Sequence, residues 1–346
     1  MNRIALAAAL VILAAVPWWV SGTYYVNIAS QILLYAIFAL GVNVLAGYAG
    51  LVSLGHAGLF GIAAYAAGKI LSTGSGHGHV VVAIGAIAVA LLASAVFAVL
   101  ALRGTGLGFV MITVALGQIV WGVAYRWISL TNGDNGITIT GRPSPFGFSL
   151  ASPRSFYWAT FVVFLAAVVS MAVFVGSPFG ASLRGTRDQP RRMTALGYHV
   201  WMIRFLAFLF SGFWSGVAGL LYLYYNQFVS PQAVALTASA EALLMVISGG
   251  TATLLGPIVG ATLVVVIKNV ASAYIERWNF VLGAIFVVIV VFMPEGLVPG
   301  VARLTRRAVA ALRPHAAMPV PAPGVAAGGE AVRGPSPPLN GSERGR

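Results

Sequence analysis

The sequence predicts an all-α polytopic membrane protein of about ten transmembrane helices, with glycine-rich interrupted segments and both termini on the cytoplasmic side. Three observations predict it. Hydrophobic residues make up 59% of the 346 and charged residues only 8%, against about a quarter charged in soluble domains. Mean hydropathy is +0.92. The apolar residues fall into stretches near the ~20 residues that a helix needs to cross a bilayer core. So few charges cannot cover a surface facing water, and hydrocarbon removes that need. The net charge of +13 reads as membrane topology rather than nucleic-acid binding, because the basic residues sit in loops and at the C-terminus. There is no cysteine, which excludes disulfides, thiolate metal sites and thiol nucleophiles.

The stretches run near 4–20, 28–47, 56–71, 80–102, 105–128, 156–176, 203–226, 236–250, 254–275 and 279–293. The first follows Arg3 and ends at Trp18 and Trp19 with no small-x-small cleavage site after it, so it reads as a retained helix rather than a signal peptide. Residues 1–27 thus form a first helix and its external turn. The third and eighth stretches are short and flanked by glycine. Aromatic residues mark many ends, among them Tyr24, Tyr25, Trp121, Trp127, Tyr157, Trp158, Tyr222, Tyr224, Tyr225 and Trp278, as amphipathic rings prefer the headgroup level. Orientation follows the Lys/Arg bias. With the N-terminus inside, the cytoplasmic side holds Arg3, Arg103, Arg184, Arg187, Arg191, Arg192, Arg204, Arg303, Arg306, Arg307 and Arg313, and the other side fewer.

Two connections are long. Residues 129–155 read as an external loop with a turn-rich segment from Thr131 to Gly136, and residues 177–202 as a cytoplasmic loop rich in arginine. Residues 314–346 are Pro, Ala, Gly and Ser with few large apolar side chains; they cannot bury a core and read as a disordered tail.

The common nucleotide-binding and catalytic patterns are absent from the sequence: no G-x-x-x-x-G-K-[ST], no G-x-G-x-x-G after a strand and no H-E-x-x-H. What stands out is glycine. One cluster runs from Gly47 to Gly61, the other from Ser248 through Gly249 and Gly250 to Gly260. Broken helices at membrane depth are tolerated only where protein or a water-filled cavity surrounds them, and one in each half points to a translocation pathway. Close helix packing through Gly256-x-x-x-Gly260 and Gly212-x-x-x-Gly216 is the plainer reading; the two are compatible. Candidate pathway residues are Asn43, Ser53, His56, Gln118, Glu241, Gly249 and Gly250. Glu241 is a carboxylate inside an apolar segment, although the nearby helix end lets it reach the interface. His56 also reads as a packed, hydrogen-bonded core residue, and Asn43, Thr113 and Gln118 as bonds between helices.

The segment from Ser177 to Val200 combines clustered arginine, Asp188 and a Leu196-Gly197 stop. A topogenic loop needs only the positive charges, whereas a short helix docking on a soluble partner needs this mixture. From Leu183 through Arg184, Arg187, Asp188 and Ala195 to Gly197 it resembles the cytoplasmic coupling loop of permease subunits of branched-chain amino acid ABC importers, of the M type. The 46–65 stretch and the segment from Ser239 through Glu241 and Gly256 to Ala261 are similar to two further signatures of that family. Ser177–Gly180 and Asn135-Gly136 fit as well, and the resemblance covers about residues 28–300. Pro190 and Thr194 stand where members commonly carry acidic residues.

The resemblance implies a permease domain over 28–300 in a bacterial inner membrane. It implies a second, different permease subunit as partner, two ABC ATPase subunits below, and a periplasmic or lipid-anchored solute-binding protein above, with no nucleic acid involved. ATP and magnesium would belong to the ATPases, so this chain would be no enzyme and would hold no cofactor or metal. Arg184, Arg187, Asp188 and Gly197 would belong to the ATPase contact. The cargo implied is branched-chain or related amino acids, with urea and short amides as the alternative within the family. An ATP-independent secondary transporter is the alternative outside it.

Overall fold

The computed structural model describes residues 9, 11–15, 22–73, 78–139, 141–142 and 150–274, with scattered positions between 280 and 303. The chain divides into one unit over 1–304 and a second over 305–346. The tail expected at 314–346 lies outside the described residues, as do most of the stretches 4–20 and 279–293.

The first unit is built from helices. In chain order these are α1 (Thr23–Asn43), which continues as a π-helical turn (Val44–Ala49), α2 (His56–Ser72), α3 (His79–Ala101), α4 (Leu107–Arg126) and the single turn α5 (Ile128–Thr131). They are followed by α6 (Pro153–Gly176), α7 (Pro178–Asp188), α8 (Pro190–Ala195), α9 (Val200–Asn226), α10 (Leu236–Gly249) and α11 (Leu255–Tyr274). Among the described residues, six spans are long and apolar enough to cross a bilayer: Thr23–Ala49, α3, α4, α6, α9 and α11. Against the ten stretches expected, α2 has 17 residues and α10 only 14. At 1.5 Å per residue these reach about 26 and 21 Å, short of the ~30 Å hydrocarbon core. The chain is a multi-pass membrane protein, and these two elements fall short of its six long apolar helices.

Local chemistry sets several of the boundaries. Ser152 accepts a hydrogen bond from the Ser155 N–H at 3.1 Å with Pro153 in the first helical position of α6, and Ser177 does the same for the Gly180 N–H at 3.2 Å with Pro178 opening α7. Among the described residues the all-α expectation has one small exception. Ile137–Thr138 (β1) pairs antiparallel with Phe228–Val229 (β2), so the segment read as an open external loop is tied to the end of α9, with Ile137, Ile139 and Val229 buried.

Helix α1 is buried along most of its length and packs against α6, α9, α10 and α11. Helix α9 packs against α1, α2 and α3. By contrast α3, α4 and α6 turn bare Ile84, Leu92, Met111, Ile119, Val162 and Val173 outward, an apolar exterior that water would penalise and lipid does not. Both small-x-x-x-small motifs are contacts. A Cβ on Gly212 or Gly216 would run into Ser94 or Ala90 of α3, and one on Gly260 would overlap the Met245 carbonyl of α10. Backbones this close gain dispersion contacts that bulkier residues would forbid.

Candidate functional site

The two glycine clusters both become breaks, and the structure places them side by side. After the π turn, Gly50 takes φ +68, residues 51–55 form no helix, and α2 starts at His56. In the second break α10 ends at Gly249, Gly250 has φ +119 and Ala252 has φ +58, and α11 starts at Leu255. A Cβ on Gly249 would overlap the Gly256 carbonyl, so the two half-helices meet backbone to backbone.

Backbone freed by a break inside a membrane must find partners in the protein. Asn43 supplies them. Its Nδ2 donates to the Thr253 carbonyl at 2.8 Å, and its Oδ1 accepts from the Ala252 N–H at 3.1 Å. One buried amide at the end of α1 therefore stitches the first break to the second. Gly47 leaves the room for it, since a Cβ there would collide with Asn43 Oδ1 and the Ala252 nitrogen.

His56 opens α2 and is fully buried. Its Nδ1 lies 2.8 Å from Ser53 Oγ and its Nε2 lies 2.8 Å from Ser211 Oγ. Ser211 Oγ in turn donates to the Gly41 carbonyl at 2.6 Å. With that hydroxyl proton used, Nε2 must be the donor to Ser211, and Nδ1 accepts from Ser53: a neutral imidazole in one tautomer. The chain Ser53–His56–Ser211–Gly41 joins the first break to α9 and α1. Ser239 Oγ of α10 accepts from the Ala57 N–H at 3.0 Å, and Thr113 Oγ1 of α4 from the Leu54 N–H at 3.3 Å. Five elements thus converge on residues 43–57.

The arginine-rich loop is a pair of short helices. Helix α7 buries Gly180, Leu183 and Thr186, three residues apart on one face; Arg184 and Asp188 are exposed, and the Arg187 side chain is partly covered. Arg204 of α9 donates to the Thr186 carbonyl at 2.9 Å, and Arg184 to the Val175 carbonyl at 3.0 Å. Arg187 lays its stem on Gly50 and donates to the Gly47 carbonyl, which fastens α7 to the π turn. Asp188 lies 3.9 Å from Arg187 Nε and is mostly exposed, a surface pair that contributes little. Helix α8 buries no residue. Its end is a Schellman cap: Gly197 has φ +86, its N–H reaches the Thr194 carbonyl at 3.0 Å, and the Tyr198 N–H reaches Met193 at 3.1 Å.

On the far side, beside the C-terminal end of α9, lies a cavity of about 610 Å³. Tyr222 on its wall is some 27 Å along α9 from Arg204. Glu241 of α10 and Lys268 of α11 pair on its wall, Nζ and Oε2 3.3 Å apart. Phe38, Phe60 and Tyr222 form a ring cluster on its apolar side.

The structure therefore brings Asn43, Ser53, His56, Gly249 and Gly250 to one junction and Arg187 to its edge, and sets Glu241 apart in the cavity. Gln118 joins neither: it lies exposed on α4, one residue past the buried Gly117 that contacts Gly55. Sequence reasoning missed Ser211, Thr253 and Tyr35. Ser211 sits next to Gly212, where the small-residue run in α9 was the available signal; nothing in the sequence singles out Thr253, whose partner is 210 residues away.

Residues 24–290 match the family described as branched-chain amino acid transport system permease component. The chain is 31% identical over 322 residues to the high-affinity branched-chain amino acid transport system permease protein LivM of Salmonella typhimurium, covering 86% of this chain and 75% of the relative. The LivM of Escherichia coli K12 is also 31% identical, with the same coverage. LivH of Escherichia coli K12, another permease protein of a high-affinity branched-chain amino acid transport system, is 22% identical over 76% of this chain and 90% of its own length. No solved structure matches. With its glycine-broken helices stitched at Asn43 and a family match over most of its length, the chain belongs to the branched-chain amino acid transport permease family.

Proposed function

We propose that this chain is one transmembrane half of an ATP-driven importer in a bacterial inner membrane, with N- and C-termini inside and about ten spans. It pairs with a second permease to enclose the pathway for branched-chain or related amino acids. The similarity to both LivM and LivH supports two permeases of one fold. Two ABC ATPases dock on the α7–α8 hairpin and hydrolyse ATP, and a periplasmic or lipid-anchored solute-binding protein delivers cargo to the opposite side. The chain itself carries out no chemistry and holds no cofactor.

The observation that carries this reading is the connected path from hairpin to junction. Helix α7 is exposed on its outer face and bonded through Arg187 to Gly47. Four residues before Gly47, Asn43 bonds the second break. A displacement of α7 by the ATPases would pull on the π turn and, through Asn43, on the start of α11. Transport then follows from ATP favouring one of two arrangements of these half-helices. Arg184, Arg187 and Asp188 meet the ATPase, and Gly197 closes the helix that presents this surface.

The test is leucine uptake by proteoliposomes holding this chain with its candidate partner permease, ATPases and binding protein. ATP-dependent uptake that Arg187→Glu abolishes, with the complex still assembled, supports the reading. Uptake without ATP overturns it in favour of a secondary transporter.

A further inference from the structure

The Glu241–Lys268 pair is placed oddly for a structural salt bridge. It joins α10 and α11, which are already pressed together at Gly249, Gly256 and Gly260. It also keeps part of each charged group open to a cavity: Glu241 is 20% and Lys268 31% exposed. Around it stand two phenol-bearing side chains, Tyr35 and Tyr222, and two phenyl rings, Phe38 and Phe60. One anion, one cation and an aromatic wall in about 610 Å³ match one kind of solute: a zwitterion with an apolar side chain.

We propose that Glu241 and Lys268 form the docking site for the amino acid inside the permease, with Glu241 receiving the α-ammonium and Lys268 the α-carboxylate. This rests on the import reading above and adds the site to it. In the present state the two side chains neutralise each other at 3.3 Å. An entering zwitterion replaces that one pair by two, so no charge is left bare in the membrane at any stage. Charge-assisted bonds of about 2.8 Å on each side hold the two side chains roughly 6–8 Å apart, wide enough to seat the backbone of an α-amino acid. Its apolar side chain lies against Phe38 and Phe60, whose ring centroids are 4.8 Å apart. A neutral amide or urea offers no such exchange, because it would leave both charges to each other and gain nothing from the pair.

The arrangement also links occupancy to the machine. Helices α10 and α11 are the two arms of a hairpin whose bend is the second break, residues 250–254. Parting Glu241 from Lys268 spreads the arms at the far end and turns the bend that Asn43 holds. The cargo thereby acts on the same junction that α7 reaches from below.

The experiment compares the complete importer bearing Glu241→Gln with Lys268→Met against the wild type. Removing both charges takes away the Glu241–Lys268 pair without leaving either member facing a lost partner, so a merely structural bridge is dispensable. The proposal expects leucine uptake to fall at least tenfold, with the thermal midpoint of the complex unchanged. The exchanged pair, Glu241→Lys with Lys268→Glu, keeps both charges and should retain more uptake than the double-neutral protein. Wild-type uptake by the double-neutral protein overturns the docking site and leaves the importer intact. A wild-type complex that imports no amino acid overturns the import reading, and this proposal with it.

Discussion

Replacing Asn43 by alanine should free the second break without touching its own sequence. The side chain is buried and makes two bonds, one to the Ala252 N–H and one to the Thr253 carbonyl. Alanine leaves both backbone groups without a partner, and each costs about 1–3 kcal/mol when buried and unsatisfied. The loss is therefore roughly 2–6 kcal/mol locally. Ala252 amplifies it, because an L-residue held in the left-handed region at φ +58 relies on surrounding contacts to stay there. For the Ala252 amide, losing its acceptor by 1–3 kcal/mol means exchange about 5- to 150-fold faster. Hydrogen–deuterium exchange on the purified protein reads this directly in peptides covering 250–254, with peptides from α3, which Asn43 does not contact, as the internal reference. Unchanged protection at Ala252 alongside a folded α3 would refute the idea that Asn43 pins the second break to the first.

Other expectations follow from the same geometry. Gly249→Ala forces a methyl into the Gly256 carbonyl and should destabilise by about 1–3 kcal/mol, lowering the thermal midpoint. Gly122→Ala on α4 meets nothing within 4 Å and should leave stability unchanged or raise it by about 0.5–1 kcal/mol. His56→Phe keeps a ring against Phe208, now 5.6 Å between centroids, but strands Ser53 Oγ; a loss of about 1–3 kcal/mol is expected in denaturation, with Ser211→Ala adding less than its separate effect. Gly197→Val puts a branched side chain at φ +86 and should unwind α8, seen as rapid proteolysis between 189 and 198, while the midpoint of the membrane core stays within a degree or two.

Helix positions were legible from apolar stretches because hydrocarbon imposes one requirement on every spanning residue. The expected 80–102, 156–176 and 254–275 came out as 79–101, 153–176 and 255–274. The breaks were legible too, since only glycine allows Gly249 and Gly256 to meet. Their meeting was not: the Asn43–Thr253 bond spans 210 residues, and no local pattern encodes which break pairs with which. Nor does apolar periodicity reveal the π turn over Val44–Ala49, whose Gly47 carbonyl accepts from Arg187. Gln118 is placed differently from what its polarity suggests within this chain. A polar residue in an apolar helix invites a role inside the bundle, yet α4 packs through Phe109, Thr113 and Gly117, and position 118 falls on the face those spacings leave outside.

Helix α8 buries none of its side chains, so nothing in the membrane core depends on which residues occupy Arg191, Arg192 or Thr194. What the fold does need there is Pro190 to start the turn and Gly197 to stop it. Between those two fixed points the six-residue surface is free to drift as fast as whatever it meets. Two proteins sharing this core can thus come to meet different partners by rewriting a handful of exposed codons, with the helices of the membrane core left as inherited.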